Sequence, residues 1–151
     1  MASYQATVTW KLQAGESHPR YSRDHSWSFD GGLTIAASAS PHVVPPPLST
    51  PAHIDPEEAF VAAIASCHML WFLHLAAGAG FKVASYTDTA VGSMGRNEQK
   101  RMAITEVLLR PQAVFEGAAP DAGTLAQLHE QAHEKCFIAN SVSSRITVLP
   151  A

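Results

Sequence analysis

Charge is in short supply in this chain. Only 15% of its 151 residues are charged, and the formal net charge is −3. No cluster of lysine or arginine offsets that balance, which excludes a partner recognised through phosphates, nucleic acid or an anionic membrane surface. Cysteine is scarcer still, with Cys67 and Cys136 the only two. No basic segment followed by an apolar one opens the chain, so no secretory leader is expected and the reading is a cytoplasmic protein. There the two thiols stay reduced, which favours redox or metal chemistry over a structural disulfide. The serine-hydrolase pattern G-x-S-x-G is missing, and Gly92-Ser93-Met94-Gly95 lacks the lysine and spacing of a phosphate-binding loop.

Apolar residues, by contrast, make up 46% of the chain. A single domain over 1–151 is expected to bury a real core. With so little charge, part of its surface is expected to be covered by a second copy of itself, in an intimate homo-oligomer. The longest mainly apolar run, residues 59–81, carries Ser66, Cys67, His68 and His74, and is read as a buried core helix and not a membrane span.

Residues 4–12 alternate, with Tyr4, Ala6, Val8, Trp10 and Leu12 on one side, and predict a half-buried strand. Trp27 and Phe29 lead into Asp30-Gly31-Gly32, and Leu33 to Ile35 return, which predicts a hairpin. Residues 41–56 hold six of the ten prolines and predict an extended, entropically cheap loop whose length hints at function. Asp55 as cap, Pro56 at the first turn and Glu58 three residues past the cap then start a helix. Phe60, Ile64, Cys67, His68, Trp71 and Leu75 fall at its spacing, and Gly78 and Gly80 end it. Residues 81–91 and 102–115 read as two strands, 118–123 as a loop, Leu125 to Cys136 as a second helix, and 143–149 as a last strand. The order β-β-β-α-β-β-α-β is α+β.

The two cysteines stand 69 residues apart, each toward the end of a hydrophobic helical stretch. Their placement raises a working thiol pair, although no spacing rule brings them together. Glu57 precedes Cys67 by ten residues, about 15 Å of helical rise and roughly 80° around the axis. The two therefore serve one site only if Glu57 comes from a second copy of the helix across a two-fold axis. A competing metal reading takes His129, His133 and Cys136, spaced H-x₃-H-x₂-C on one helical face. Arg20 and Arg23 lie in the segment leading to the second strand.

These residues carry a resemblance. Residues 55–68, Asp55-Pro56-Glu57-Glu58 through Ser66-Cys67-His68, resemble the first cysteine segment of the OsmC/Ohr family of osmotically inducible and organic-hydroperoxide-resistance proteins. Ala132-His133-Glu134-Lys135-Cys136 is similar to its second cysteine segment. Tyr21-Ser22-Arg23-Asp24-His25 is similar to the stretch bearing its arginine, and Trp10 recurs in the first strand. The resemblance implies an OsmC-like α+β fold of antiparallel sheets with two main helices, forming an intertwined homodimer with sites at the subunit interface. It implies a thiol-dependent peroxidase in which Cys67 is the peroxidatic and Cys136 the resolving cysteine, with Glu57 and Arg23 as the site carboxylate and arginine; Arg20 is the other register. The implied substrate is an organic hydroperoxide and the implied reductant an external dithiol, with the resemblance suggesting a lipoyl-type thiol, and no metal, flavin or haem as cofactor. The family usually has proline after the second cysteine, where this chain has Phe137, and His68 stands where an aromatic residue is usual. A non-catalytic OsmC-like protein binding a small apolar ligand is the alternative, beside the metal reading above.

Overall fold

The computed structural model describes all 151 residues. They divide into two compact units, Met1–Ala59 and Phe60–Ala151.

The first unit carries a three-stranded antiparallel sheet in the order β1 (Ala6–Thr9), β2 (His25–Phe29), β3 (Thr34–Ala37). The β2–β3 hairpin is the expected one: Phe29 N–H donates to Leu33 O at 2.9 Å, and Gly32, at φ +95°, takes the left-handed conformation its turn requires. The expectation for the first strand needs correction. β1 covers only four residues, all exposed, and Val8, Trp10 and Leu12 are 65%, 42% and 48% exposed. Its only strand neighbour is β2, so nothing within the sheet covers its apolar side.

The proline-rich loop is tied down rather than loose. Ser38 N–H donates to Ile54 O, Ile54 N–H to Ala36 O, and Thr50 N–H to the Ser38 hydroxyl. At its end Asp55 and Glu58 form the expected capping box, Glu58 N–H donating to Asp55 Oδ1 at 2.8 Å and Asp55 N–H to Glu58 Oε2 at 3.1 Å.

That box starts α1 (Pro56–Gly78), which continues into the second unit. There it is followed by β4 (Lys82–Asp88), β5 (Val91–Arg96), β6 (Met102–Leu109), β7 (Pro111–Glu116), α2 (Ala122–Lys135), a short 3-10 turn (Ala139–Ser141) and β8 (Arg145–Val148). The strand expected over 102–115 is two strands, and the one expected over 81–91 is β4, which ends at Asp88; β5 starts only at Val91 and is a further strand. The chain leaves β4 at Asp88 and β6 at Leu109 to change sheets: β4 pairs β7, while β5, β6 and β8 form a second sheet in which β8 runs parallel to β6. Arg110 N–H, freed from the ladder at that corner, donates to Asp88 Oδ1 at 2.7 Å.

α1 is apolar all round and long enough to cross a membrane, although only 22% of its most apolar stretch is buried within the chain. Its buried stripe is Ile64, His68, Phe72 and Ala76, one residue per turn. Phe72 and Ala76 meet Leu128 and Ala132 of α2, with Phe81, Val83 and Phe115 around them. Ile64 meets Val107 and Leu109 of β6, with Ile146 and Val148 of β8 behind. Gly92 sits where α1 comes closest: a Cβ there would stand 2.6 Å from Val61 Cγ2.

Candidate active site: a thiol pair at an apolar cavity

Cys67 lies at the midpoint of α1, with eleven residues on either side, and not near its end as expected. Cys136 is the C-cap of α2, where the backbone turns extended and its N–H donates to His133 O. The fold brings the two thiols together. Both are free; Cys67 is half-buried and Cys136 only 1% exposed. Burial, followed by the interaction with the Cys67 thiol, pushes the Cys136 thiol up to about 11, against a partial offset from Ala139 N–H, which donates to its sulfur at 3.4 Å. At neutral pH Cys136 is therefore protonated, and Cys67 is the member of the pair that meets open space.

That space is a cavity of about 310 Å³ lined by Cys67, Leu70, Trp71, His74 and Phe137. Leu70, Trp71 and His74 follow Cys67 on one face of α1. Phe137 comes from the turn after α2 and meets Trp71 edge-on, centroids 5.5 Å apart. Lys135 lies over the Trp71 ring at 5.7 Å. The walls are apolar, with His74 the polar member at the mouth. Trp71 is the aromatic residue of α1 that lines the cavity. Phe72 and Ile64 lie in the core and Phe60 packs beside Ile64. Phe137, noted in the sequence only as a substitute for proline, is a wall.

The three-ligand metal reading does not survive. No group of three histidine, cysteine or acidic side chains is arranged to hold an ion. Cys136 is engaged with Cys67, and His129 with His68, whose ring nitrogens Nε2 and Nδ1 stand 3.0 Å apart. This buried pair was not foreseen. The rings are parallel, and Phe72 stacks on His129 at 4.3 Å. Burial holds both imidazoles down at about 4, and for His68 the neighbouring His129 and His133 add to it. His68 Nδ1 is buried without a partner.

The remaining two candidates lie in the first unit, and the structure does not join them. The Arg23 guanidinium donates to the carbonyls of Tyr21 and Pro19 and lies 3.7 Å over the Tyr21 ring. Glu57 is half-buried, and its Oε2 has no partner. The guanidinium–carboxylate pair that would hold Arg23 is absent within the chain. Arg20 is exposed in the turn before it.

The description "OsmC-like protein" belongs to the family model that matches residues 49–149, two thirds of the chain and both cysteine segments. The chain belongs to the OsmC-like family. An OsmC-like protein of unknown function from Vibrio cholerae is 52% identical, each chain covering 100% of the other, with a TM-score of 0.98. An organic hydroperoxide resistance protein from Elizabethkingia anophelis is 20% identical over 99% of this chain and 94% of its own, TM-score 0.71. The organic hydroperoxide resistance protein OhrB of Bacillus subtilis is 18% identical over 98% of both, TM-score 0.67. The last two likenesses establish a shared OsmC-like fold. No curated protein matches the chain.

Proposed function

We propose that this OsmC-like chain is a thiol peroxidase that reduces organic hydroperoxides to alcohols. The observation that carries the reading is a pair of interacting free thiols: Cys67 lines a ligand-sized apolar cavity, and Cys136 is protonated and buried. The Cys67 thiolate attacks the distal oxygen of ROOH; the O–O bond breaks, the alkoxide leaves and is protonated to ROH, and Cys67 becomes a sulfenic acid. The Cys136 sulfur then displaces hydroxide from the sulfenic sulfur, and its proton leaves with that hydroxide as water. An external dithiol, for which a lipoyl-type thiol is the proposed class, reduces the resulting disulfide and is itself oxidised. The aromatic walls favour a substrate whose R group is apolar over hydrogen peroxide.

Arg23 is assigned the role of favouring the thiolate, and Glu57 that of holding the guanidinium. In a homodimer a second copy of the chain would supply what each copy lacks. The unpartnered Glu57 Oε2, the exposed apolar side of β1 and the exposed Leu70 of α1 all support such a partner. A reducing compartment such as the cytoplasm fits the cycle.

The test is a thiol count before and after one equivalent of an organic hydroperoxide, on wild type and Cys136→Ser. Loss of both thiols in the wild type, with a trappable sulfenic acid in the variant, is expected. If both thiols persist at rates no faster than free cysteine, the cavity serves binding alone and the peroxidase reading falls.

A further inference from the structure

Arg23 is held at the backbone far more firmly than at its side chain. Its N–H donates to Leu48 O of the proline-rich loop at 2.8 Å. On its other side, His25 Nδ1 stands 2.7 Å from Arg23 O. Which nitrogen of His25 carries the proton follows from Trp27, whose Nε1–H donates to His25 Nε2 at 3.1 Å. An indole nitrogen can only donate, so Nε2 must present a lone pair. The single ring proton of His25 then sits on Nδ1 and donates to the Arg23 carbonyl. Residues 25 and 27 share one face of β2, where the two-residue period sets their rings side by side.

The flanking residues are clamped as well. Asp24 N–H donates to Ser22 Oγ, Ser22 N–H to Glu16 Oε1, and Trp10 Nε1–H to Ser22 O. Thr50 of the loop donates its hydroxyl proton to Asp24 Oδ2 at 2.8 Å. The guanidinium, in contrast, rests on two carbonyls and a tyrosine ring, with no carboxylate. A fixed Cα carrying a long arm on weak rests suits a residue whose charge must be delivered to one point.

We infer that His25, locked in its Nδ1–H tautomer by Trp27, is a positioning residue for Arg23. Its consequence for turnover rests on the peroxidase reading; the tautomer does not. A second ring proton on Nε2 would oppose the Trp27 N–H and break the lock; the charged group beside the ring is the Asp24 carboxylate. His53 Nδ1, 3.8 Å from Asp24 Oδ1, competes for the same carboxylate.

Two experiments test this on the full-length untagged protein. Ring ¹⁵N shifts of His25 at neutral pH should report a neutral Nδ1–H tautomer, and Trp27→Phe should release it to protonate or change tautomer. An Nε2–H tautomer, or an imidazolium at pH 7 in the wild type, overturns the inference whatever the protein's activity. For turnover, His25→Leu should slow Cys67 oxidation by on the order of 10- to 100-fold. His25→Asn, which supplies a donor and an acceptor from one group, should recover most of that. Arg23→Ala should then cost little more in the His25→Leu background than His25→Leu already has. Full additivity of the two losses, or a His25→Leu defect that only tracks lost thermal stability, overturns the positioning role. If the wild type consumes hydroperoxide no faster than free cysteine, the peroxidase reading and the turnover consequence fall together, and the ¹⁵N result alone decides the lock.

Discussion

Cys67 and His68 are adjacent on α1, and each meets a partner from α2 or its cap, yet the two pairs end in opposite circumstances. Cys67 lines a 310 Å³ cavity with Trp71 and Phe137, and its partner Cys136 is buried. His68 is 1% exposed, paired to His129 and capped by Phe72. One residue along a helix is about 100° of rotation. That rotation sends the first side chain to open space and the second into the stripe shared with Ile64 and Phe72. Reactivity here follows access and not residue type: imidazoles are the commoner proton carriers, but these two are held neutral in the core.

The sharpest way to break the comparison is Cys67→Ser. It should abolish hydroperoxide reduction while leaving the unfolding free energy from chemical denaturation within about 0.5 kcal/mol of wild type, because the side chain is close in size and only half-buried. Residual peroxidase activity after that change would move the chemistry elsewhere.

The histidine pair should behave in the opposite manner, silent in catalysis and visible in stability. Both imidazoles titrate at about 4 in the folded chain, below their ordinary value of 6.5. The unfolded chain therefore binds protons first as the pH falls. Their contribution is complete above about pH 6.5 and is lost as the pH drops toward 4, by on the order of 2 kcal/mol. Urea melts at pH 7.5 and 4.5 on wild type and on the His68→Leu/His129→Leu double variant measure it. An equally steep acid loss in the double variant would remove the pair from the explanation.

The smallest effect is expected at the cavity rim. Phe137→Ala should reduce the preference for an aromatic hydroperoxide over hydrogen peroxide by about 5- to 10-fold in kcat/KM. An unchanged ratio would mean that Phe137, 69% exposed, closes on nothing the substrate uses.

Local signals in the sequence carried a good part of this fold. The β2–β3 turn, the Asp55–Glu58 box and the two helices are short-range features whose chemistry is complete within a few residues. Where the expectation failed, the deciding contact was distant. Residues 81–91 look like one strand because alternation does not stop at Asp88; the chain changes sheets there because β4 pairs with β7 and β5 with β6. Residues 4–12 alternate cleanly, but alternation reports a face destined for burial and not the molecule that buries it. β1 is exposed accordingly. His129 and His133 share a helical face whether or not a metal binds. Only the arrival of His68 on the neighbouring helix showed where His129 is engaged.

Thus the residue types dictated two oxidisable thiols, an apolar helix with a capped start, a stiffened loop and a surface without a cluster of basic residues. Tertiary structure decided that the thiols, 69 residues apart, meet, with Cys67 at a cavity and Cys136 buried, while the adjacent histidine is sealed. It also decided that a strand tryptophan sets the tautomer beside Arg23, and that Glu57 stands without a partner in the single chain. The division has a physical reason. Caps, turns and periodicity depend on neighbours within a turn of chain, whereas access, burial and proton position depend on which distant surface arrives.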